Sequence, residues 1–354
     1  MPGPNLLDLS LSELLQALAA WGEAPFRARQ VWEWAWRHLA TKFDQMTNLP
    51  AGLRARLAES FTIGLPAVTA RQADDLGTEK VLLSLADGQG VEAVLLRGGD
   101  RRTVCVSTQV GCPVGCPFCA TGAMGFVRNL TPGEIAAQVL HFARELREAG
   151  EHVTHVVVMG MGEPLLNYDS TLKAIHNLNE GRGFGLGARR ITVSTVGVVP
   201  GILRLAKEDL QVNLAISLHA PDDALRRKLV PLGERWPIAE VLAAADRYAH
   251  ATGRRVSYEY VLLAGVNDHL DDARALAALL RGRLAHVNLI PFNPSPGLPF
   301  RAPAAGTVDA FRRALVESGV DATVRRSRGV AIQAGCGQLR VSSARRPDSP
   351  HLST

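Results

Sequence analysis

The sequence predicts an α/β protein whose core is built from parallel βα units and is preceded by a small helical domain and a β-hairpin. Two observations predict this class. From residue 103 onward, short apolar strands alternate with amphipathic helical stretches, as they do in parallel sheets. Before residue 100, helical patterns give way to two short strands around the turn dipeptide Asp87-Gly88. Six βα units suit either an open doubly wound sheet or a partial barrel.

The N-terminal part is predicted to be helical. Ser10 and Glu13 have the spacing of a capping box, which indicates a helix start. A second helix is expected from Pro25, because proline is favoured in the first helical turn. A third helix is expected to begin near Pro50. We therefore assign residues 1–75 to an N-terminal helical accessory domain.

The remaining domain boundaries follow from changes in pattern. The alternating strands 80–85 and 91–96 predict a β-hairpin linker over residues 76–98. The core domain is predicted to span residues 99–341. Residues 342–354 are rich in proline and serine and predict a flexible tail.

The strands of the core carry the functional expectation, because parallel strands present their carboxyl ends, and with them the reactive residues, at one edge. The predicted strands are 103–109, 153–159, 189–195, 212–218, 255–262 and 286–291. Helices are predicted between them at 132–149, 168–179, 237–251 and 269–282.

Composition limits the classes of function. The chain has 354 residues, 47% hydrophobic and 21% charged, with a net charge of +5. Its apolar runs are shorter than a membrane span and no signal-peptide pattern is visible, so we expect a cytoplasmic protein without membrane contact, and a monomer. The positive charge permits an RNA partner. Four arginine pairs are candidate RNA contacts: 189–190, 226–227, 254–255 and 325–326.

Three of the five cysteines form a compact motif. An odd number of cysteines argues against a disulfide framework. Cys112, Cys116 and Cys119 have the spacing C-x3-C-x2-C, which suits a [4Fe–4S] cluster with three protein ligands and one open iron. The alternative is zinc with a fourth ligand from elsewhere. Structural zinc ligands usually come as two pairs, and no second cysteine pair is present, so the spacing favours the cluster.

The other two cysteines stand apart from this motif. Cys105 lies in a predicted strand, where a cysteine is commonly a small buried apolar residue. Cys336 lies between Gly335 and Gly337, and such a loop is a poor core position. Their pattern alone leaves open whether they are reactive.

Several motifs, taken in order along the chain, resemble the RlmN family of radical S-adenosylmethionine (SAM) enzymes, which methylate C2 of adenine in 23S rRNA and tRNA. The resemblance covers nearly the whole chain, and Gly335 stands where alanine is commoner in the family. The motifs are PFRARQ (25–30), MTNLP (46–50), CVSTQVGC (105–112), GMGEP (160–164), STVG (194–197), SLHA (217–220), PFNP (291–294) and AGCGQL (334–339).

The resemblance implies a fold and a ligand set. The fold is a partial (β/α)6 radical SAM barrel, and the cofactors are one [4Fe–4S] cluster and SAM. Cys112, Cys116 and Cys119 would ligate the cluster, and Gly162 with Glu163 would meet the SAM amino group. Further SAM contacts are implied at Ser194, Ser217, Leu218, His219 and Asn293.

The resemblance also implies a mechanism. Cys336 would take a methyl group from one SAM, and a radical formed from a second SAM would activate that methyl group for addition to C2. Cys105 or Glu92 would accept the C2 proton. Cys105 would then attack Cys336, releasing RNA and leaving a disulfide that must be reduced. A flavodoxin-like or ferredoxin-like protein would donate electrons, and the N-terminal helical domain, residues 1–75, would dock the RNA.

Three other functions remain open at this point. A Cfr-type enzyme would use the same chemistry at adenine C8. A non-catalytic RNA-binding protein would use the cysteines for structural zinc. A radical SAM enzyme acting on small molecules or protein would give no reason for Cys105 and Cys336 to occur together.

Overall fold

The computed structural model describes residues 3–325 and 328–339. The predicted tail 342–354 and Arg326 lie outside the described residues. The α-helices are α1 (Leu11–Ala19), α2 (Pro25–Trp36), α3 (Ala51–Ser60), α4 (Ala120–Ala123), α5 (Pro132–Glu148), α6 (Tyr168–Asn179), α7 (Val199–Leu205), α8 (Asp223–Leu229), α9 (Ile238–Thr252), α10 (Leu270–Leu280) and α11 (Ala305–Glu317). The strands are β1 (Ala67–Ala73), β2 (Glu79–Ser84), β3 (Gly90–Gly98), β4 (Arg101–Cys105), β5 (Gln109–Gly111), β6 (Phe126–Asn129), β7 (His155–Val158), β8 (Ile191–Thr195), β9 (Asn213–Ser217), β10 (Val256–Leu262), β11 (Ala285–Pro291) and β12 (Ala322–Val324).

One ten-stranded sheet, in the order β1-β2-β3-β4-β7-β8-β9-β10-β11-β12, organises the molecule. Within this sheet, each neighbouring pair is parallel from β4 through β7, β8, β9, β10 and β11 to β12. A doubly wound sheet reverses its strand order at a switch point, whereas these strands follow each other in sequence without reversal. This order is that of a partial barrel, and the α/β prediction is confirmed.

The first predicted core strand is divided in the structure. Strand β4 ends at Cys105, and β5 pairs with β6 in a separate two-stranded sheet. Between β5 and β6 the chain makes an excursion that contains Cys112, Cys116 and Cys119 and the short helix α4. We call residues 112–119 the cluster loop. The division places this loop directly beyond the carboxyl end of β4.

The N-terminal region begins as predicted and ends differently. Helix α1 has its capping box, since the Ser10 hydroxyl accepts from the Glu13 N–H and the Glu13 carboxylate accepts from the Ser10 N–H. Helices α2 and α3 are also present. The helical region was expected to reach residue 75, but β1 (67–73) pairs with β2 and extends the main sheet. Its side chains are all exposed, so it lacks the alternating apolar pattern by which a half-buried strand is recognised.

The predicted hairpin is part of the main sheet, between β1 and β4, and is more than a linker. Strands β2 and β3 pair antiparallel, and β3 pairs antiparallel with β4. Val94 on β3 lies opposite Cys105 on β4. The hairpin therefore positions side chains beside the first core strand.

Residues 328–339, which we call the closing segment, span the gap between the β2–β4 side of the sheet and the cluster loop. The Gly329 N–H donates to Asp74 (3.2 Å), and the Lys80 ammonium donates to the Gln333 carbonyl (3.1 Å). At its far end, Gly337 O accepts from the Ala120 N–H (2.8 Å). The closing segment thereby brings Cys336 to the cluster loop.

Across the described residues, no helix has the length and apolarity needed to cross a membrane.

Candidate active site

The three motif cysteines line one cavity of about 160 Å³ at the carboxyl end of the barrel. The Cys112 N–H donates to Gly125 O (2.8 Å), and the Cys119 N–H donates to Cys116 O (3.1 Å). These backbone bonds fix the cluster loop, and all three thiols are free of disulfides. In the described part of the chain, no group of three or more His, Cys, Asp or Glu side chains is arranged to hold a single metal ion. An iron–sulfur cube is wider than one ion, so its ligands stand farther apart.

Gly162 and Glu163 follow β7 and border the same cavity. Glu163 is 2% exposed, and its carboxylate accepts from the N–H groups of Leu165 (3.0 Å) and Val196 (2.8 Å). Burial raises the pKa of Glu163 to about 7, against these hydrogen bonds. Gly162 has φ +102°, and a Cβ there would lie 2.7 Å from Cβ of Gln109. Only glycine fits this approach.

Ser194, Ser217 and His219 lie at or just beyond the ends of β8 and β9 and also border the cavity. His219 Nδ1 accepts from the Val261 N–H (3.0 Å), so the remaining ring proton is on Nε2. Burial lowers the pKa of His219 to about 3, which keeps the imidazole neutral at physiological pH. Its ring meets Phe118 of the cluster loop edge-on, with centroids 5.0 Å apart.

Two predicted SAM contacts have a different placement. Leu218 is fully buried in the hydrophobic core, and its N–H donates to Glu259 O (3.0 Å). The Asn293 amide donates to Cys336 O (3.1 Å). Within the described residues, neither belongs to the lining of the cavity. In this structure Asn293 positions the cysteine, and Leu218 packs beneath its neighbours.

Cys105 and Cys336 share a second cavity, of about 410 Å³. Cys336 also lines the cavity that contains the three motif cysteines, so it stands between the two spaces. Burial raises the pKa of Cys105 to about 12, nearby Cys336 raises it further, and Arg325 opposes both effects. Cys105 is therefore a protonated thiol at neutral pH.

Arg325 is a site residue that the sequence did not identify, since it was expected to contact RNA as part of an arginine pair. It borders both cavities. Its Nη1 lies 3.7 Å from Glu259 Oε2 and 3.7 Å from Met159 Sδ. Cys336 is the main cause that raises the pKa of Arg325, with Glu259 and Cys105 acting in the same direction and burial opposing. Arg325 thus places a positive charge beside both thiols.

The other arginine pairs do not surround the cavities. Arg226 is 1% exposed and donates to Trp236 O (3.0 Å) and to Val196 O, so it is a buried structural residue. The pairs 189–190 and 254–255 immediately precede β8 and β10. They therefore lie at the amino ends of the strands, opposite the cluster loop. The predicted RNA contact is wrong for the buried Arg226, and it stays a prediction for the pairs 189–190 and 254–255, which lie away from both cavities.

Glu92 is buried, although an isolated strand glutamate normally faces solvent. It is 6% exposed and forms an ion pair with Lys80, Nζ to Oε1 3.0 Å. It lies two residues before Val94 on β3, so strand alternation puts it on the face that borders the second cavity. The same lysine holds the closing segment through Gln333.

This partial barrel, with a three-cysteine loop at the carboxyl ends of its strands, defines the class of radical SAM enzymes. The profile described as "Radical SAM superfamily" matches residues 106–277, and that described as "Ribosomal RNA large subunit methyltransferase N-terminal domain" matches residues 4–63. A solved structure titled as a radical SAM methyltransferase from Sphaerobacter thermophilus superposes with a TM-score of 0.93. It is 54% identical and covers 95% of this chain and 99% of its own.

Two curated relatives identify the family. One from Symbiobacterium thermophilum is 50% identical and covers 96% of this chain and 92% of the relative. One from Chloroflexus aurantiacus is 51% identical, with coverage of 94% and 92%. Each is named "Probable dual-specificity RNA methyltransferase RlmN". The chain belongs to the RlmN family.

The cofactor prediction is thereby confirmed at the level of the family, which uses a [4Fe–4S] cluster and SAM. The donor set fits this assignment. Three free cysteines line one cavity that also contains a buried carboxylate and a neutral histidine. A ligand ammonium placed against Glu163 would favour its ionised form. Family membership also favours an RNA methyltransferase over a zinc-stapled binding protein.

Proposed function

We propose that the protein methylates C2 of adenosine in 23S rRNA and in tRNA, with Cys336 carrying the methyl group and Cys105 releasing the product. The observation that carries this proposal is the position of Cys336, which borders both the motif-cysteine cavity and the cavity of Cys105. The family relationship supports the coarser statement, that the protein is a radical SAM RNA methyltransferase.

The chemistry of the target explains why a thiol relay is needed. Adenine C2 is an electron-poor ring carbon without an acidic proton, so its direct attack on a methyl donor is unfavourable. When bound, the cluster and SAM supply a methyl group and a 5′-deoxyadenosyl radical. We propose that Cys112, Cys116 and Cys119 hold the cluster, and that Gly162 and Glu163 meet the amino group of SAM.

Ser194, Ser217 and His219 are proposed to meet the rest of SAM. The neutral His219 offers an Nε2–H donor, because its Nδ1 is occupied by Val261. Leu218 and Asn293 are proposed to support the lining of the cavity without bordering it. Leu218 does so through its hydrogen bond to Glu259 O, and Asn293 through its hydrogen bond to Cys336 O. The N-terminal helical region is proposed to dock the RNA.

Cys336 acts as the methyl carrier. Its sulfur accepts the methyl group, and after activation the carbon links the sulfur to adenine C2. The C2 proton passes to Glu92, or to the Cys105 sulfur once that thiol has given up its own proton. The unpaired electron that addition leaves on the ring would be taken up by the cluster when it is bound. Cys105, as the thiolate, then attacks the sulfur of Cys336 and the carbon–sulfur bond breaks toward carbon. The released carbon takes up a proton and becomes the methyl group on C2, and the two sulfurs end as a disulfide. A protein reductant, flavodoxin-like or ferredoxin-like, restores the thiols.

Cys105→Ala tests the proposal. The variant is expected to accumulate a covalent complex of protein and RNA, because the attacking sulfur is absent. Denaturing electrophoresis and mass analysis of the peptide containing Cys336 will detect it. A double variant that also carries Cys336→Ala is the control and is expected to form no complex. Free methylated RNA from Cys105→Ala at the wild-type rate would refute the releasing role.

The position of methylation is a separate measurement. Mass spectrometry of nucleosides from RNA treated with the wild-type enzyme is expected to show 2-methyladenosine. A product methylated at C8 would assign the chain to the Cfr-type reaction.

A further inference from the structure

Strand β6 presents two consecutive large apolar side chains to solvent. Phe126 is 47% exposed and Val127 is 56% exposed, and Met124 just before them is 36% exposed. Throughout residues 3–325 and 328–339, no other two exposed large apolar residues are adjacent in sequence. An exposed apolar patch of this kind commonly marks an interaction site.

This patch is held rigidly. The Arg128 guanidinium donates to both carboxylate oxygens of Glu134 (2.8 and 2.9 Å) and to Asp87 (2.6 Å). Gly111, on the partner strand β5, has φ +73°, and a Cβ there would lie 1.9 Å from Gly125 O. The backbone of the two strands is therefore packed too closely for any other residue at 111. The exposure of Phe126 is thus a property of a well-anchored strand.

The patch lies at the rim of the active site. Gly125, which precedes Phe126, accepts the N–H of Cys112 (2.8 Å). Strands β5 and β6 enclose the cluster loop, at the carboxyl end of the barrel. A nucleotide that reaches Cys336 must leave its stack. Its neighbours in the RNA then pass over this rim, with bases that have lost a stacking partner.

We propose that Phe126 stacks against an unpaired base of the RNA, next to the adenosine that enters the site. The inference rests on the proposed function and adds an RNA contact to it. Base stacking on an aromatic ring needs no charge and accepts any base. Because Arg128 is paired with two carboxylates, the patch offers a ring rather than a phosphate-binding cation. An electron donor needs only proximity to the cluster, whereas the RNA must cross the rim.

Phe126→Ala in the anaerobically reconstituted holoenzyme tests the inference. The probe is a helix-loop RNA with an unpaired adenosine, and fluorescence anisotropy gives its Kd. We expect the Kd to rise about tenfold, as loss of one stacked base predicts. The slope of log Kd against log salt should stay at the wild-type value, because no phosphate contact is lost. Phe126→Trp should restore the wild-type Kd.

Leu284→Ala is the matched control. Leu284 is 53% exposed and precedes β11, at the opposite end of the barrel. Its substitution should leave the Kd for RNA unchanged. If Leu284→Ala leaves the Kd unchanged while Phe126→Ala raises it, the effect comes from a contact at the rim and not from the loss of exposed apolar area.

Three outcomes would overturn the inference. One is an unchanged Kd for Phe126→Ala. Another is activity lost with a protein reductant and retained with dithionite, which would assign the patch to the electron donor. The third is a lower Tm with unchanged RNA binding, which would mean that Phe126 packs against another part of the chain. Wild-type enzyme that methylates no RNA would refute the proposed function itself, and nucleoside analysis detects that case separately.

Discussion

The cluster loop and the closing segment hold their cysteines by different kinds of contact. The cluster loop is fixed by short-range backbone hydrogen bonds, such as Cys112 to Gly125. The closing segment is fixed by long-range contacts, such as Lys80 to Gln333, which are 253 residues apart. The first arrangement depends on local spacing, and the second depends on the finished barrel. The loop therefore has the properties of a binding motif, whereas the segment forms a site only after folding.

The largest expected effect separates the two regions by their metal content. Cys116→Ser is expected to lose both iron and methylation, because the cluster loop loses one of its three proposed ligands. Cys336→Ser is expected to retain about four irons per chain and lose methylation entirely, because the proposed methyl carrier is gone. Iron analysis and the visible spectrum measure the iron content, and a methylation assay measures the activity. Loss of iron in Cys336→Ser would show that the two regions are not independent.

A smaller effect, on stability, is expected for the ion pair between Arg325 and Glu259 of β10. Arg325→Met leaves the buried Glu259 carboxylate without its cation. Glu259 has a side chain only 5% exposed, whereas Arg325 is 29% exposed. We expect a loss of about 3 kcal/mol in the free energy of unfolding, at the lower end for a broken buried pair. Urea denaturation measures it.

Arg204→Met is the control for this measurement. Its partner Asp169 is 85% exposed, and exposed pairs contribute at most about 1 kcal/mol. Equal losses in the free energy of unfolding for the two variants would contradict the idea that burial of the Arg325–Glu259 pair causes the larger effect.

The smallest effect is expected at Gln338, which shapes the loop of Cys336. Its side chain accepts from the Gly335 N–H (3.0 Å) and donates to Pro294 O (2.7 Å). Gln338→Ala removes both bonds and should slow methylation of Cys336 about tenfold, since small displacements weaken alignment. Mass analysis of Cys336 over time follows the reaction. Gln211→Ala, at an exposed surface glutamine, should react at the wild-type rate.

Sequence predicted best where the physical cause is local. The helix beginning at residue 11 follows from its capping box, and the cluster loop follows from cysteine spacing. The parallel βα core follows from alternating strands and helices, while the choice of a partial barrel over an open doubly wound sheet came from the family resemblance. Because these patterns depend on neighbouring residues, they are visible without the fold.

Sequence failed where partners are distant. Strand 103–109 was predicted as continuous, but β5 leaves the main sheet to pair with β6, beyond the cluster loop. Arg226 was expected to contact RNA, but it donates to two buried carbonyls. Glu92 matched the family, while its burial with Lys80 depends on the pairing of β2 with β3. Arg325 follows β12, and only the folded barrel brings it to the cavity that Cys105 also borders.

The strand position of Cys105 determines how the two sulfurs can approach each other. Its residue pairs with Val94 on one side and with Val157 on the other. A residue that is paired with a strand on each side cannot shift unless the hydrogen bonds of the sheet break. Any change in the distance between the two sulfurs would therefore have to come from Cys336, whose carbonyl accepts from the Asn293 amide. If Cys105 attacks the sulfur of Cys336 as proposed, Cys105 on β4 stays in place and Cys336 in the closing segment makes the movement.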